Sequence, residues 1–213
     1  MIFVTFEGID GCGKTSVSKE VEVRLRAAFP HRTVRRYCDP EMSYPDIAEI
    51  RKTLLDPNSQ LTQIEELRLY IKARKLLIDI ITETHIRAGT DSTDVVLCDR
   101  FIHSTYAYQG YGRGIPKKTI AQIHREEKAL LFPDLTLWYD IPLGDARARS
   151  DKRSNGQKDR MEQQDDEFFT RVADGYQDMF DKERAVWNIQ RVDATRAFNE
   201  VVTESLLRIS RYL

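Results

Sequence analysis

Residues 8–15 read Gly8-Ile9-Asp10-Gly11-Cys12-Gly13-Lys14-Thr15, the pattern GxxxxGK[ST]. The apolar, β-branched run Ile2 to Phe6 leads into it, and Val17, Val21, Val23 and Leu25 recur in a charged helical pattern after it. That context of strand, loop and helix is what makes the motif a phosphate cradle. Glycines let the backbone wrap an anion with its N–H groups turned inward, and the following helix adds its positive end. Within the cradle Lys14 is placed to reach the β- and γ-phosphates and Thr15 to ligate Mg²⁺, so all of residues 8 to 15 are expected to bind a nucleoside triphosphate. The competing reading is a glycine-rich turn that binds nothing.

Working outward, Thr33 to Tyr37, Val95 to Cys98, Leu135 to Ile141 and Ile189 to Val192 read as four further strands. Pro40 and Pro45 break the chain before a short helix around Ile47 to Leu55, and Asp56-Pro57-Asn58 makes a turn. Thr62, with Glu65 three residues on, predicts a capping box that opens a helix running to about Ala88 and stopping at Gly89. Strands alternating with helices predict an α/β fold, a mostly parallel sheet covered on both faces. The polar, highly charged segment Arg149 to Arg160 departs from the pattern; it is either a mobile lid or a solvated loop.

A second anchor is Val95-Val96-Leu97-Cys98-Asp99-Arg100, an apolar strand ending in an acid and a base. Ligands of α/β sheets gather at the carboxyl ends of strands, which brings Asp99 and Arg100 to the crevice of the phosphate loop. There the acid can hold Mg²⁺ through water and the guanidinium can grip a phosphate. A surface ion pair at a strand end is the alternative.

The chain has 213 residues, 41% apolar and 31% charged, with a formal net charge of -1. One well-filled, water-soluble domain suits these figures, and nothing in them points to nucleic acid as the main partner. Apolar runs are short and broken by charge, so neither a signal peptide nor a membrane span is expected. Cys12, Cys38 and Cys98 form no CxxC pair and indicate neither a disulfide framework nor a zinc site, which makes a reducing cytoplasm the expectation.

A phosphate loop leaves the acceptor open. No NKxD-like segment of a GTPase switch follows a late strand, and Arg100 stands where a motor ATPase carries a second acid. Small-molecule phosphoryl transfer fits better. A hydroxyl acceptor needs a side-chain base, whereas a monophosphate, with a second pKa of about 6, needs clamps. Arg74, Arg100, Arg113, Arg149 and Arg153 supply such clamps in number.

The resemblance then becomes specific. Phe6-Glu7-Gly8-Ile9-Asp10-Gly11, Asp99-Arg100 followed by Ser104-Thr105, Ala107-Tyr108-Gln109-Gly110, Gly112-Arg113-Gly114, Pro133-Asp134-Leu135-Thr136, Asp159-Arg160-Met161-Glu162 and Asp193-Ala194-Thr195 fall in the order and spacing of the thymidylate kinase family. The match runs nearly end to end and resembles the bacterial-type branch, in which the phosphate loop lacks an arginine and the lid supplies basic residues, here Arg149, Arg153 and Lys158. The resemblance implies transfer of the terminal phosphoryl group of ATP to dTMP with Mg²⁺, in a three-layer α/β/α P-loop kinase whose five-stranded parallel sheet has the order 2-3-1-4-5. It implies one domain over residues 1–213 with a lid at about 149–162.

By matching position, the resemblance assigns Asp10 to the sugar 3′-hydroxyl and the metal shell and Arg100 to the dTMP phosphate, while the two motifs themselves give Thr15 and Asp99 to the metal. Lys14, Asp10, Arg100, Arg149 and Arg153 become the catalytic set. Tyr70 and Arg74, four apart on one helix face, match the aromatic that stacks on thymine and the arginine that donates to it; Tyr70 as a half-buried core tyrosine is the other reading. Ser104 and Thr105 match the polar pair beside the base, and Tyr108 the residue under the sugar. One departure stands out: Cys38-Asp39-Pro40-Glu41-Met42 replaces the usual Arg-Glu-Pro-Gly-Gly, losing the arginine, for which Arg35 or Arg36 is a substitute to look for. Cys12, at a helix start, is expected to have a lowered thiol pKa and to react. Apolar stripes at Ile64, Leu67, Ile71, Ile78 and Ile81 and at Leu69, Leu76 and Ile80 exceed one core contact and suggest a homodimer seam. A deoxynucleoside kinase and a non-catalytic ATP-dependent switch are the alternatives.

Overall fold

The computed structural model describes residues 1–87, 94–154 and 158–213. In chain order the elements are β1 (Ile2–Glu7), α1 (Lys14–Ala28), β2 (Val34–Cys38), α2 (Pro45–Leu55), α3 (Gln63–Ile81), β3 (Val95–Asp99), α4 (Ile102–Thr105), α5 (Lys117–Glu126), β4 (Leu135–Asp140), α6 (Leu143–Ser154), α7 (Asp166–Trp187), β5 (Ile189–Asp193) and α8 (Phe198–Ile209). Two π-helical stretches, Thr82–Arg87 and Tyr106–Gly112, extend α3 and α4. The strands pair in parallel in the order β2-β3-β1-β4-β5, the order that the family resemblance implies.

Side chains alternate across the sheet and divide the core in two. Val4, Phe6, Leu97 and Leu137 pack with Val17, Val21 and Leu25 of α1 and with Val172 and Met179 of α7. Phe3, Val96 and Cys98 pack on the other face with Leu67, Ile71 and Leu77 of α3. β1 lies at the centre, and all its residues from Phe3 to Glu7 are buried.

The predicted capping box starts α3: Glu65 N–H donates to Thr62 Oγ1 at 3.3 Å, and Thr62 N–H donates to Glu65 Oε2 at 2.8 Å. The expected end of this helix at Ala88 and Gly89 lies outside the described residues. Along α3, Leu67, Ile71, Ile78 and Ile81 are buried, Leu69, Leu76 and Ile80 half-buried, and Ile64 exposed. In α1 the buried stripe is Val17, Val21 and Leu25, four apart, while Val23 is exposed because it lies two residues off that stripe. The segment expected to be an irregular lid or loop is helical as far as Ser154. Ala146 anchors α6 in the core, and its alanines, arginines and lysine are good helix formers despite their polarity. Residues 155–157 lie outside the described residues.

α6 sits directly on the phosphate loop. Gly11 has φ +86°, and a Cβ built on it would lie 1.9 Å from the Ala146 carbonyl oxygen, so only glycine allows this approach.

Candidate active site

Parallel register pairs Phe6 and Cys38 with Asp99, so the loop after β1, the turn after β2 and Asp99-Arg100 after β3 open at one edge of the sheet. A crevice of about 480 Å³ lies there, in the range of small-molecule sites. Asp10, Lys14, Thr15, Tyr70, Arg74, Asp99, Arg100, Ser104, Thr105, Tyr108 and Arg153 all line it.

The phosphate loop turns through Gly8, Gly11 and Gly13, each with positive φ. Lys14 Nζ folds back to donate to Ile9 O at 3.3 Å and lies 3.8 Å from Asp10 Oδ1. The Thr15 hydroxyl donates to Asp99 Oδ2, while Asp99 Oδ1 is buried without a partner among the described residues. An unused carboxylate oxygen beside a hydroxyl at the loop is a donor set that suits a hydrated hard cation.

Arg100 has φ 65°, a conformation that costs energy for a non-glycine residue. Glu7 supports the turn: its buried carboxylate accepts from Phe101 N–H at 2.7 Å, from Ser104 N–H at 3.2 Å and from the Ser104 hydroxyl at 2.6 Å. The Arg100 guanidinium donates to Gly8 O, Ser104 Oγ, Tyr108 OH and, at 2.6 Å, Asp10 Oδ1. Tyr108 OH donates to Asp10 Oδ2 at 2.8 Å. Burial alone would raise the Asp10 pKa, but the charges of Arg100 and Lys14 and the Tyr108 hydrogen bond outweigh it and hold the carboxyl well below its ordinary range. Asp10 is thus an ionised acceptor for a hydroxyl and a poor proton acceptor.

Tyr70 is half-buried and shares a crevice-facing side of α3 with Arg74, as the four-residue spacing predicts. Arg74 is 2% exposed and donates from Nε to Asp39 at 2.6 Å, from Nη2 to Phe101 O at 3.0 Å and from Nη1 to His124 Nε2 at 2.9 Å. The Ser104 hydroxyl is committed to Glu7, Arg100 and Tyr176, which places it at the Arg100 end of the crevice; Thr105 is buried in the wall nearby.

The residues expected to form a lid divide. Arg153 donates to Glu162 Oε1 at 2.8 Å at the crevice. Arg149 instead reaches Ala194 O, after β5, at 3.3 Å. Lys158 and Arg147 face a narrow cleft that they share with Asp10 between the loop and α6.

In the departing segment the Glu41 carboxylate accepts from the amides of Cys38, Met42 and Ser43. Arg36 and Arg51 line the crevice, and Arg51 donates to Pro40 O at 2.7 Å; Arg35 is exposed and does not line it. The Cys12 expectation is overturned. Its side chain is 2% exposed and packs into the core beneath the loop, and burial raises its pKa beyond what Lys14 and the loop amide can offset.

Sequence reasoning gave no role to Glu7 and Gln109, although both stand in the quoted motifs, and missed Arg51 and Glu66. Glu66, Tyr70 and Arg74 recur every four residues, and that polar stripe on an otherwise apolar face was the available signal for Glu66.

The family model described as thymidylate kinase matches residues 6–205. The chain belongs to the thymidylate kinase family. It is 35% identical over 216 residues to the thymidylate kinase of Psychrobacter sp. (strain PRwf-1), covering 99% of this chain and 98% of that relative. It is 34% identical over 209 residues to that of Deinococcus radiodurans, with 98% and 96% covered. A crystal structure of thymidylate kinase from Ehrlichia chaffeensis superposes with a TM-score of 0.69 at 27% identity, covering 98% of both chains. Among the described residues of this thymidylate kinase family member, no helix is long and apolar enough to cross a membrane.

Proposed function

We propose that the chain transfers the terminal phosphoryl group of ATP to dTMP, giving dTDP, with Mg²⁺ as its metal. What carries this reading beyond family membership is a phosphate loop opening onto a crevice whose carboxylates each already accept at least one hydrogen bond, with one oxygen of Asp39 and one of Asp99 left without a donor among the described residues. Asp10 is held by Arg100 and Tyr108, Asp39 by Arg74, Glu41 by backbone amides, Asp99 by Thr15, Asp159 by the amides of Met161 and Glu162, and Glu162 by Arg153. A kinase acting on a hydroxyl needs a free base, whereas a monophosphate, with a second pKa of about 6, arrives largely deprotonated. The arrangement therefore supports dTMP kinase over deoxynucleoside kinase.

In this reading Lys14 neutralises charge on the transferring group, Arg100 grips the acceptor phosphate and Asp10 accepts from the 3′-hydroxyl. Tyr70 stacks on the base, Arg74 donates to it and Tyr108 packs under the sugar. The segment 149–162 acts as a lid through Arg149 and Arg153. Thr15 and Asp99 would hold Mg²⁺, which when bound neutralises charge on the ATP phosphates. Few protein ligands suit this ion, and among the described residues no group of three or more His, Cys, Asp or Glu side chains could hold a metal alone. The half-buried α3 stripe at Leu69, Leu76 and Ile80 pairs two copies, and three free cysteines suit a reducing cytoplasm.

ADP formation with ATP and Mg²⁺ against a panel of nucleosides and monophosphates tests the reading. Turnover with dTMP is expected; turnover with thymidine alone would make the chain a deoxynucleoside kinase, and none with any acceptor a non-catalytic switch. Light scattering at micromolar concentration tests the dimer.

A further inference from the structure

We propose that Glu7 is a positioning residue for Arg100: its carboxylate draws the Ser104 hydroxyl proton to itself, leaving Ser104 Oγ as an acceptor that aims the guanidinium. The inference rests on the reading of Arg100 as the grip on the acceptor phosphate. Glu7 ends β1, is 0% exposed and does not line the crevice, so it can act there only through its neighbours.

Glu7 Oε1 accepts from the amides of Phe101 and Ser104, which follow the left-handed turn at Arg100. Its Oε2 accepts from the Ser104 hydroxyl at 2.6 Å and from Tyr176 OH of α7 at 2.9 Å. Every hydrogen bond that Glu7 makes among the described residues is one it accepts, the pattern of an ionised carboxylate. Burial raises its pKa, and the Ser104 bond, the Arg100 charge and the bonds from Phe101 and Tyr176 oppose the rise. His103 Nδ1 lies 3.9 Å from Oε1, beyond hydrogen-bond reach.

A serine hydroxyl has one proton and two lone pairs. With its proton on Glu7, Ser104 Oγ can only accept from Arg100 Nη1, 3.0 Å away. Turned toward Arg100 instead, the proton would set donor against donor. Tyr176 OH, 3.0 Å from Ser104 Oγ, is the one other outlet for that proton among the described residues. In Glu7→Gln the backbone amides of Phe101 and Ser104 still need the side-chain oxygen. The new NH₂ therefore faces Ser104 and Tyr176 and releases the serine proton.

The experiment measures, by calorimetric titration, the affinity for dTMP and for thymidine, which lacks the phosphate. The proteins are the wild type, Tyr176→Phe, Glu7→Gln in Tyr176→Phe, and that pair with Ser104→Ala added. Tyr176→Phe alone should bind dTMP within about threefold of the wild type, because Glu7 still holds the serine proton. Adding Glu7→Gln, with the tyrosine outlet closed, should weaken dTMP by at least about tenfold and thymidine by less than about threefold. Ser104→Ala, by removing the misdirected proton, should restore at least about threefold of the lost dTMP affinity. A merely structural role would weaken both ligands alike and would not be rescued by a further truncation. Equal weakening of both ligands, or no rescue, overturns the proposal while the dTMP reading stands. Should the Glu7→Gln proteins not fold, Ser104→Ala alone carries the test: it should lower the preference for dTMP over thymidine by about threefold, and an unchanged preference overturns the proposal. A wild type that binds thymidine as tightly as dTMP overturns the Arg100 grip on which the proposal rests.

Discussion

Arg100 holds Asp10 at 2.6 Å beside the phosphate loop, and the pair fixes the charge state of the acid. If Asp10 receives the sugar 3′-hydroxyl, its replacement should matter only where that hydroxyl is present. Asp10→Asn is expected to lower kcat/KM for dTMP by about tenfold or more while changing 3′-deoxy-dTMP much less. Steady-state kinetics with both acceptors measures this; an unchanged ratio between them would remove the hydroxyl assignment.

Lys14 lies buried over its own loop, donating to Ile9 O, and is positioned to turn its charge to a bound phosphate. A charge that acts on the transition state is lost mainly from kcat. Lys14→Ala should retain less than about a tenth of wild-type kcat with an unchanged far-UV spectrum. Higher residual turnover would put the loop's catalytic role in serious doubt.

Asp99 has one oxygen on Thr15 and one buried and, among the described residues, unpartnered. Asp99→Asn should raise the Mg²⁺ concentration for half-maximal activity by about tenfold, because the neutral amide binds a hard cation more weakly. Titration of Mg²⁺ at saturating nucleotide reads this directly, and an unmoved midpoint would take Asp99 out of the metal site.

Cys12 points into the core, and burial raises its thiol pKa. A bulky maleimide should leave it unlabelled in the native protein and label it after denaturation. Peptide mapping separates it from Cys38 and Cys98. Rapid native labelling of Cys12, suppressed by ATP, would show the opposite orientation.

His124 accepts from Arg74 and donates to Ile120 O; burial, then the Arg74 charge, lowers its pKa to about 4, and the same two causes lower that of His103 to about 3. Unfolded, both take up protons as pH falls through about 6.5, while the folded protein excludes them until about 4 or lower. The unfolded state therefore binds more protons in this window, and stability should fall with falling pH by up to about 1.4 kcal/mol per pH unit for each histidine. Urea melts from pH 7 to pH 4.5 measure it. His124→Gln should flatten the slope, and a flat wild-type profile would contradict the assignment.

The sheet and phosphate loop were legible because their signals are local: apolar runs, glycines at a turn, a capping box at Thr62 and Glu65. Tyr70 and Arg74 were found together because helical spacing alone puts them on one face. Glu66 and Gln109 meet across 43 positions of chain, and Glu7 across 97 positions to Ser104, separations at which no local pattern operates. Cys12 was misjudged because sequence shows the electropositive helix start but not the direction of the side chain. In α6, high charge masked a helix whose anchoring rests on a few buried positions such as Ala146.

No atom fits between Gly11 and the Ala146 carbonyl, which makes the loop and α6 meshed parts. A single methyl at position 11 would lever the arginine-bearing helix outward without touching a charged group. Conversely, a compound wedged under α6 would deform the cradle from behind and block the enzyme without competing for either nucleotide.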